Sequence, residues 1–563
     1  MNIFSEIKRR KILNTFVLYM GASWALIEAI SFFINRYHWQ DSVFSYSIAL
    51  IGFGLSGTLI FQWFRGAEQG AKTTRIEIIL QSANFLAASY FIYGIATTPM
   101  SIKVVENVDA IENSIAVLPF QNLGSNNDTD FYGDGFADDI ITSLSKSSDF
   151  MVISRTSSFQ YRDTNRSIKQ IRNQLKVETI LEGSFRVHED KIRLNVYLVQ
   201  TESEKNLWSE TFTGNVRDIF SLQSLVAKQI AKSLQLELKT SKSEREVDVL
   251  AYEYYRKGSD LMRQNNISKN ILNESVEALN KAIEIDSTFV EALTTIAEVY
   301  IKYLYWGYDE YDNVAPKARE YIRIAQQYSA DEAEIYALLA ALSHYNFEWK
   351  EAEKYCKMAK ELNPNAIFTY WVDAKNSIVL GKKKQAISSI NMLLKLDPLT
   401  STNAIYFSMI RGYFRDFDIA IEFLNKSLEN NPNDNFTLWN MAYLHGLLGN
   451  YTKAIEYYKK RTVKSKDENW GLGYAYGRLG EKEEAVRIAE ILIKKKKSGS
   501  FVPSFMIGYV FLGAGELDNA FYWFNIASNE KLGWLGFIES DPSFDDVRED
   551  EKYKQLLQKV NLD

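Results

Sequence analysis

Five aspartates, Asp128, Asp130, Asp134, Asp138 and Asp139, crowd one short stretch, and an oxygen-rich cluster of this kind is what a hard cation such as calcium takes. Their spacing matches no calcium loop. Gly133-Asp134-Gly135 reads as a turn and N-cap, which puts Asp138 and Asp139 in the first turn of a helix over 136–145, where the helix dipole favours carboxylates. The expectation is a structural cluster without a metal. Arg155, flanked by Ser154, Thr156 and Ser157, has the donors to hold an anion, but no Gly-rich phosphate loop accompanies it, so it too reads as structural. His38, His188, His344 and His445 are scattered and Cys356 is the single cysteine, which leaves neither a zinc ligand set nor a disulfide. His188 precedes a hairpin turn and Gly-x-Ser-x-Gly is absent, so no nucleophilic triad is expected, no catalytic residue is named, and no cofactor is expected.

The elements that position these residues follow from length and pattern. At 563 residues the chain has room for three or four domains. A formal charge of −6 over that length argues against a nucleic-acid partner held by phosphate neutralisation. The basic run at Lys494–Lys497 reads as a solvated helix end.

The strongest periodicity lies in the last 290 residues. Small residues recur at Ala318, Ala352, Ala386, Ala420 and Ala454 in steps of 34, continue at Ala485 and Ala520, and have a weaker forerunner in Ser275. Pro364, Pro398 and Pro432 each fall twelve residues after such a mark, where a second helix should end. A 34-residue period predicts helix pairs stacked into a superhelix, because neither helix of a pair buries its apolar face without a neighbour. Cys356 falls at a packing position of this array and is expected in the core. Leu438, Met441, Ala442, Gly449, Tyr451, Ala454 and Tyr458 carry a pattern that resembles tetratricopeptide repeats, over about 249–540. The pattern lengthens at Tyr305-Trp-Gly-Tyr-Asp-Glu-Tyr, where an enlarged loop is expected.

The resemblance implies a scaffold that binds a protein or peptide in its concave groove. Numbering each repeat from nineteen residues before its small-residue mark, the groove-lining position five holds Ala337, Trp371, Ile405, Trp439, Trp470 and Phe505. Position nine, one helical turn on, holds Ala341, Lys375, Met409, Tyr443, Tyr474 and Tyr509. The candidate partner-binding residues are Trp371, Trp439, Tyr443, Trp470, Tyr474, Phe505 and Tyr509, since large rings bury much area at little rotamer cost. The same rings would serve equally to pack between successive repeats and fill the superhelix; solvent exposure separates the two readings.

Before residue 100 lie three apolar stretches, at about 13–34, 43–63 and 78–96, each near the twenty residues a helix needs to cross a bilayer. Glu28 in the first, and Gln81 and Asn84 in the third, are polar groups expected to face other helices, and Gly52, Gly54 and Gly57 fit close helix packing. Lys8-Arg9-Arg10-Lys11 before the first stretch, and Arg65, Lys72 and Arg75 after the second, outnumber Arg36 in the turn between, which predicts cytoplasmic basic flanks. Three spans then place the soluble part in the periplasm of a bacterium, multi-pass in the inner membrane. If the third stretch only lies on the surface, the orientation reverses. The opening Phe4-Ser-Glu-Ile-Lys-Arg-Arg-Lys-Ile resembles the anchor of a bacterial family that joins it to tetratricopeptide repeats.

Residues 101–113 read as a linker and 114–240 as a small α/β domain. A buried strand from Ser114, helices at 136–145 and 167–175, strands at 150–154, 179–187 and 192–200, and a long closing helix at 216–238 are predicted. Ile115-Ala-Val-Leu-Pro-Phe, Tyr132-Gly-Asp-Gly-Phe, Ser154-Arg-Thr-Ser-Ser-Phe, Leu181-Glu-Gly-Ser-Phe-Arg, Leu207-Trp-Ser-Glu and Asp218-Ile-Phe-Ser-Leu-Gln resemble the amino-terminal domain of the TolB type. It occurs attached to repeat proteins often labelled adenylate cyclases. The same family carries the ending Asp541-Pro-Ser-Phe-Asp with Arg548, Tyr553, Leu556 and Leu557, so 541–563 reads as its C-terminal tail. A cyclase needs paired metal-binding aspartates on adjacent strands of a catalytic domain, and no residues remain to build one. The expectation is therefore a mainly α chain with a three-helix membrane anchor, a TolB-like α/β domain and a tetratricopeptide solenoid, acting as a non-catalytic scaffold. The alternative is a membrane signalling or transport-coupled component in which Glu28 and the spans act and the soluble domains regulate.

Overall fold

A computed structural model describes residues 3–37, 41–66, 73–97, 110–124, 130–162, 164, 166–189, 191–215, 219–234, 248–264, 267–461 and 469–562. Asp128, Lys72, His38 and the linker through residue 109 lie outside these. The protein is mostly helical with one small mixed sheet, and it divides into two compact units, Met1–Glu106 and Asn107–Asp563.

The first unit holds α1 (Ile3–Arg9), α2 (Ile12–Tyr37), α3 (Asp41–Arg65) and α4 (Arg75–Thr97). These cover the three predicted apolar stretches, and among the described residues one helix, Ser47–Arg65, is long and apolar enough by length and composition to cross a membrane. The polar residues of α4 turn to α3: Gln81 Nε2 donates to the Gly57 carbonyl and Asn84 Nδ2 to the Phe53 carbonyl, each at 2.9 Å. Tyr19 of α2 donates to the Ile51 carbonyl at 2.9 Å.

The second unit begins with β1 (Ile111–Val117), β2 (Gln121–Asn122), α5 (Asp130–Ser145), β3 (Met151–Val152), α6 (Arg155–Ser158) and α7 (Ile168–Leu175). It continues with β4 (Val177–His188), β5 (Lys191–Gln200), β6 (Asn206–Asn215) and α8 (Ile219–Ser233). The sheet runs β3-β1-β4-β5-β6, parallel as far as β4 and antiparallel beyond, with β2 also pairing with β4. Leu181, Phe185, Leu194, Val196 and Phe212 on one face bury against Phe136, Ile140 and Leu144 of α5 and Val226 and Ile230 of α8.

Four readings of this domain need correction, the first being that the linker expected through 113 gives way to strand already at Ile111. The helix predicted from 136 starts at Asp130, so Gly133-Asp134-Gly135 is helix interior and neither a turn nor an N-cap. Packing overrides the low helix propensity of glycine here: a Cβ at Gly133 would come within 2.6 Å of the Phe120 carbonyl oxygen, and one at Gly135 would strike the Tyr252 ring. The strand expected at 150–154 is only Met151–Val152, because Ser154 turns the chain into α6 by capping the Ser157 N–H. The third antiparallel strand, β6, was not anticipated at all. It lies at the sheet edge with only Phe212 buried, so it lacks the alternation that marks a half-buried strand.

The solenoid is eight helix pairs among the described residues. They are α9 (Val249–Met262) with α10 (Lys269–Ile285), α11 (Val290–Tyr305) with α12 (Tyr311–Tyr328), α13 (Ala333–Tyr345) with α14 (Trp349–Leu362), and α15 (Ile367–Val379) with α16 (Lys383–Leu396). Then follow α17 (Ser401–Tyr413) with α18 (Phe417–Asn430), α19 (Asn435–Leu447) with α20 (Tyr451–Lys460), α21 (Trp470–Leu479) with α22 (Lys482–Lys497), and α23 (Ser504–Ala514) with α24 (Leu517–Glu530). Ser275 and every predicted small-residue mark are fully buried in the second helix of a pair, and Pro364, Pro398 and Pro432 stand two residues past the ends of α14, α16 and α18. The connection between α11 and α12 runs over 306–310, longer than the three residues of the next pair, as the interrupted pattern required. Cys356 is buried in α14. Two 3-10 turns, Trp534–Phe537 and Pro542–Val547, and α25 (Glu551–Lys559) complete the chain.

The mixed domain is fastened to the turns that join one repeat to the next. Asn365 Nδ2 serves the carbonyls of Ser145 (2.9 Å), Ser147 (3.1 Å) and Phe150 (3.0 Å). Ser154 and Ser157 donate to Asp397 Oδ1 at 2.5 and 2.6 Å, and Asn403 Nδ2 holds the other oxygen at 2.9 Å. Asn363 and Asp397, 34 residues apart, are the C-cap residues of α14 and α16, so the same repeat position meets the domain twice.

Candidate partner-binding groove

Positions five and nine both fall in the first helix of a repeat, about one turn apart, so their rings lie in line. Six of the seven candidates form one continuous ladder. Trp439 stacks on Tyr443 at 5.3 Å and 10° and meets Trp470 at 5.8 Å; Trp470 stands edge-on to Tyr509 at 4.9 Å; Tyr474 lies 4.6 Å from Tyr509, and Phe505 lies 5.5 Å from it. Glycine permits the tightest of these contacts. A Cβ at Gly513 would sit 2.5 Å from the Tyr474 carbonyl oxygen, so α21 and α23 approach backbone to backbone.

Trp371 stands apart in a second cluster with Tyr305 (5.2 Å), Phe368 (5.6 Å) and Tyr406 (5.8 Å). Lys375 Nζ lies over the Trp371 ring at 4.2 Å and within reach of the Tyr345 and Tyr305 rings at 5.2 and 5.7 Å. Burial pulls its pKa down to about 7. His344, also buried, is pulled down to about 3 by desolvation and then by the Lys375 charge.

The segment after α24 folds back along the ladder. Trp534 stacks on Phe505 at 6.1 Å and 17°, and Phe537 stacks on Tyr413 at 5.4 Å. Tyr443 OH donates to Asp541 Oδ2 at 3.3 Å, the Tyr509 and Ser543 hydroxyls pair, and Trp349 Nε1 donates to the Val560 carbonyl at 2.8 Å. At the rim Arg415 grips both oxygens of Asp545, and Arg478 pairs with Asp546 at 2.7 Å. Burial raises the Asp541 carboxyl to about 6, against hydrogen bonds from Ser543 and Tyr443. Tyr443, Trp470, Tyr474, Phe505 and Tyr509 are consequently buried, while Trp371 and Trp439 keep partial exposure, as do Phe368 one turn before Trp371 and, more fully, Phe436 before Trp439. The sequence offered one sign of this return. Trp534, Phe537, Phe544, Tyr553, Leu556 and Val560 follow the last repeat with no further repeat to cover them.

Asp138 and Asp139 tie the mixed domain to the first repeat, while Asp134 pairs with arginines of the mixed domain itself. Asp138 Oδ2 accepts from Arg256 Nη1 at 2.5 Å and Arg263 Nη1 at 2.7 Å, with Arg155 Nε at 3.7 Å. Burial would raise its pKa, but the three guanidinium charges outweigh that and hold it well below the carboxylate range. Asp139 accepts from Tyr252 OH at 2.8 Å, and burial, assisted by the Asp138 charge, lifts it to about 7. Asp134 pairs with Arg162, and Arg155 reaches Asp260 at 2.8 Å. Helix capping, the explanation expected from sequence, applies to none of Asp134, Asp138 and Asp139; Asp130 opens α5.

Residues 437–460 match the tetratricopeptide repeat model. The solenoid is an array of tetratricopeptide-type repeats. Residues 111–229 match the second domain of HilA/YgeH-like transcriptional regulators. Among curated proteins, "Putative adenylate cyclase 3" of Rhizobium meliloti (strain 1021) is 32% identical over 189 residues, which is 33% of this chain and 32% of that protein. Transcriptional regulator HilA of Salmonella typhimurium is 23% identical over 172 residues, 30% of this chain and 31% of the regulator. The chain thus spans about a third of the length of these relatives. Similar solved structures include a tetratricopeptide repeat protein of Parabacteroides merdae (13% identity, TM-score 0.31, 56% of this chain and 100% of that one). Another is PilF of Pseudomonas aeruginosa (16% identity, TM-score 0.29, 44% and 98%).

Proposed function

We propose that this protein is a non-catalytic, membrane-anchored scaffold whose repeat array binds a protein partner at the mouth of its groove. The observation that carries the reading is the pair of partly exposed aromatic steps, Phe368 with Trp371 and Phe436 with Trp439, at the same two positions of repeats two periods apart. Rings spaced two repeats apart suit an extended or helical segment with apolar anchors. Tyr443, Trp470, Tyr474, Phe505 and Tyr509 form the floor, holding the C-terminal segment and fixing the two steps above it.

The anchor in this reading is the first unit, multi-pass in a bacterial inner membrane. The basic run before α2 and the hydrogen bonds from Gln81 and Asn84 to the α3 backbone support it, and the soluble part is then periplasmic, with 114–240 a TolB-like domain. The engagement of Asp134, Asp138 and Asp139 with arginines or tyrosine supports absence of catalysis, even beside a relative named for a cyclase.

The likeness of 111–229 to a domain of transcriptional regulators favours a second reading, a membrane signalling component in which Glu28 and the spans act. Copurification from cross-linked membranes separates the two. The scaffold reading expects the Trp371→Ala, Trp439→Ala double variant to lose its partner while Glu28→Gln keeps it; the reverse pattern would replace it with the signalling reading. An alkaline phosphatase fusion after Lys103 is expected to be active, and an inactive one would put the soluble part in the cytoplasm.

A further inference from the structure

The two edges of the mixed sheet are treated differently. The outer edge of β3 is closed by the solenoid: the Val152 N–H donates to Asn365 Oδ1 at 3.2 Å, and the Ser154 N–H just beyond donates to the Leu396 carbonyl at 2.7 Å. The far edge of β6 pairs with no strand among the described residues. Its ladder with β5 is regular from Trp208 to Asn215, broken only by a bulge at the Leu207 end. Natural edges of this length carry lysine, proline or repeated charge against pairing with another chain. This one carries none of these except Glu210, and Leu207 beside it is 47% exposed.

A bare antiparallel edge is complementary to another copy of itself, because the same outward N–H and C=O groups meet across a two-fold axis. Only registers in which a residue faces one of equal parity bring outward groups together. Centring the axis on Glu210 would set two carboxylates face to face, which cross-strand pairing disfavours. Centring it on Thr211 sets Glu210 opposite Phe212, Ser209 opposite Thr213, and Trp208 opposite Gly214. Two of these pairs are favourable, since the indole covers a residue with no side chain and β-branched threonine meets hydroxyl, and Glu210 no longer faces its own copy. Leu225 of α8, 44% exposed, lies one turn after Leu222, whose methyl sits 3.6 Å from where a Gly214 Cβ would be, so it borders the same edge.

We propose that two copies of this chain associate through β6, antiparallel and centred on Thr211, to make one continuous sheet. The inference stands apart from the groove reading and uses none of its residues. The test uses the full chain in nanodiscs or mild detergent, with Cys356 left in place because it is buried. Thr211→Cys is expected to give a covalent dimer on mild oxidation, while Glu210→Cys gives at least tenfold less. Thr211→Lys, which sets two ammonium groups face to face, is expected to weaken dimerisation at least tenfold by light scattering with an unchanged melting temperature. A monomer at every concentration, or equal cross-linking at 210 and 211, overturns the proposal. So does a β6 edge found cross-linked to a different polypeptide.

Discussion

Replacing Asp138 by asparagine keeps the side-chain volume and removes the charge that holds three arginines between the mixed domain and the first repeat. Arg256 is only 1% exposed, its Nε has no partner, and after the change its nearest carboxylate is Asp260 at 3.5 Å. Arg263 and Arg155 keep some access to solvent, so the loss is concentrated on Arg256. Breaking a buried pair by removing one partner costs about 3–5 kcal/mol, because an uncompensated charge stays behind. If the mixed domain melts by itself, that loss lowers its Tm by roughly 12–20 °C; if it melts together with the repeats, the larger unfolding entropy limits the drop to roughly 3–5 °C. Calorimetry of the full chain reads which applies. Adding Arg256→Met to Asp138→Asn replaces the stranded charge with an apolar group and is expected to recover at least half of the loss. A variant within about 0.5 kcal/mol of wild type, or a double variant no more stable than the single, would refute the claim that this ion cluster locks the domain to the solenoid.

Three further outcomes follow from the same geometry. Asp139, raised from 3.8 to about 7, costs the folded state stability as pH rises through that window, by at most about 4 kcal/mol, so Asp139→Asn should stabilise the protein at pH 8 and change nothing at pH 4 in thermal melts. Asp138 acts in the opposite sense, its contribution being lost as pH falls below the ordinary 3.8. Lys375, pulled down to about 7 from 10.5, penalises the folded state below pH 10.5 and in full below pH 7; Lys375→Met should therefore stabilise more at pH 6 than at pH 9.5. Trp470→Ala empties the centre of the aromatic ladder at a cost of about 3–5 kcal/mol, and hydrogen exchange should show the increase in 531–562 rather than in β4 and β5.

The repeats were legible because their signal is local and recurrent: one small residue in each second helix, a proline after three of these helices, and no partner needed outside the next 34 residues. The strands β4 and β5 were legible for a similar reason, since each buries a continuous or alternating apolar set. What was lost depends on contacts distant in the chain. Gly133 and Gly135 look like a turn until Phe120 and Tyr252 are placed against them, and Asp138 looks like a helix-start acid until Arg256 and Arg263 arrive from more than a hundred residues away. Edge strand β6 has no buried face to betray it. The seven ring candidates were identifiable by position, but their division into a covered floor and two partly exposed steps depends on where the last thirty residues return, which repeat periodicity does not encode.

The central claim is that a protein partner docks on the partly exposed steps of the groove. Placing a photoreactive side chain at Trp371, at Trp439 and, as a control, at Lys354 on the exposed face of α14, and irradiating intact cells, tests it directly. The account predicts one discrete protein adduct from both groove positions and none from Lys354. Adducts only to the chain's own 531–562, or equal adducts from all three positions, would contradict it.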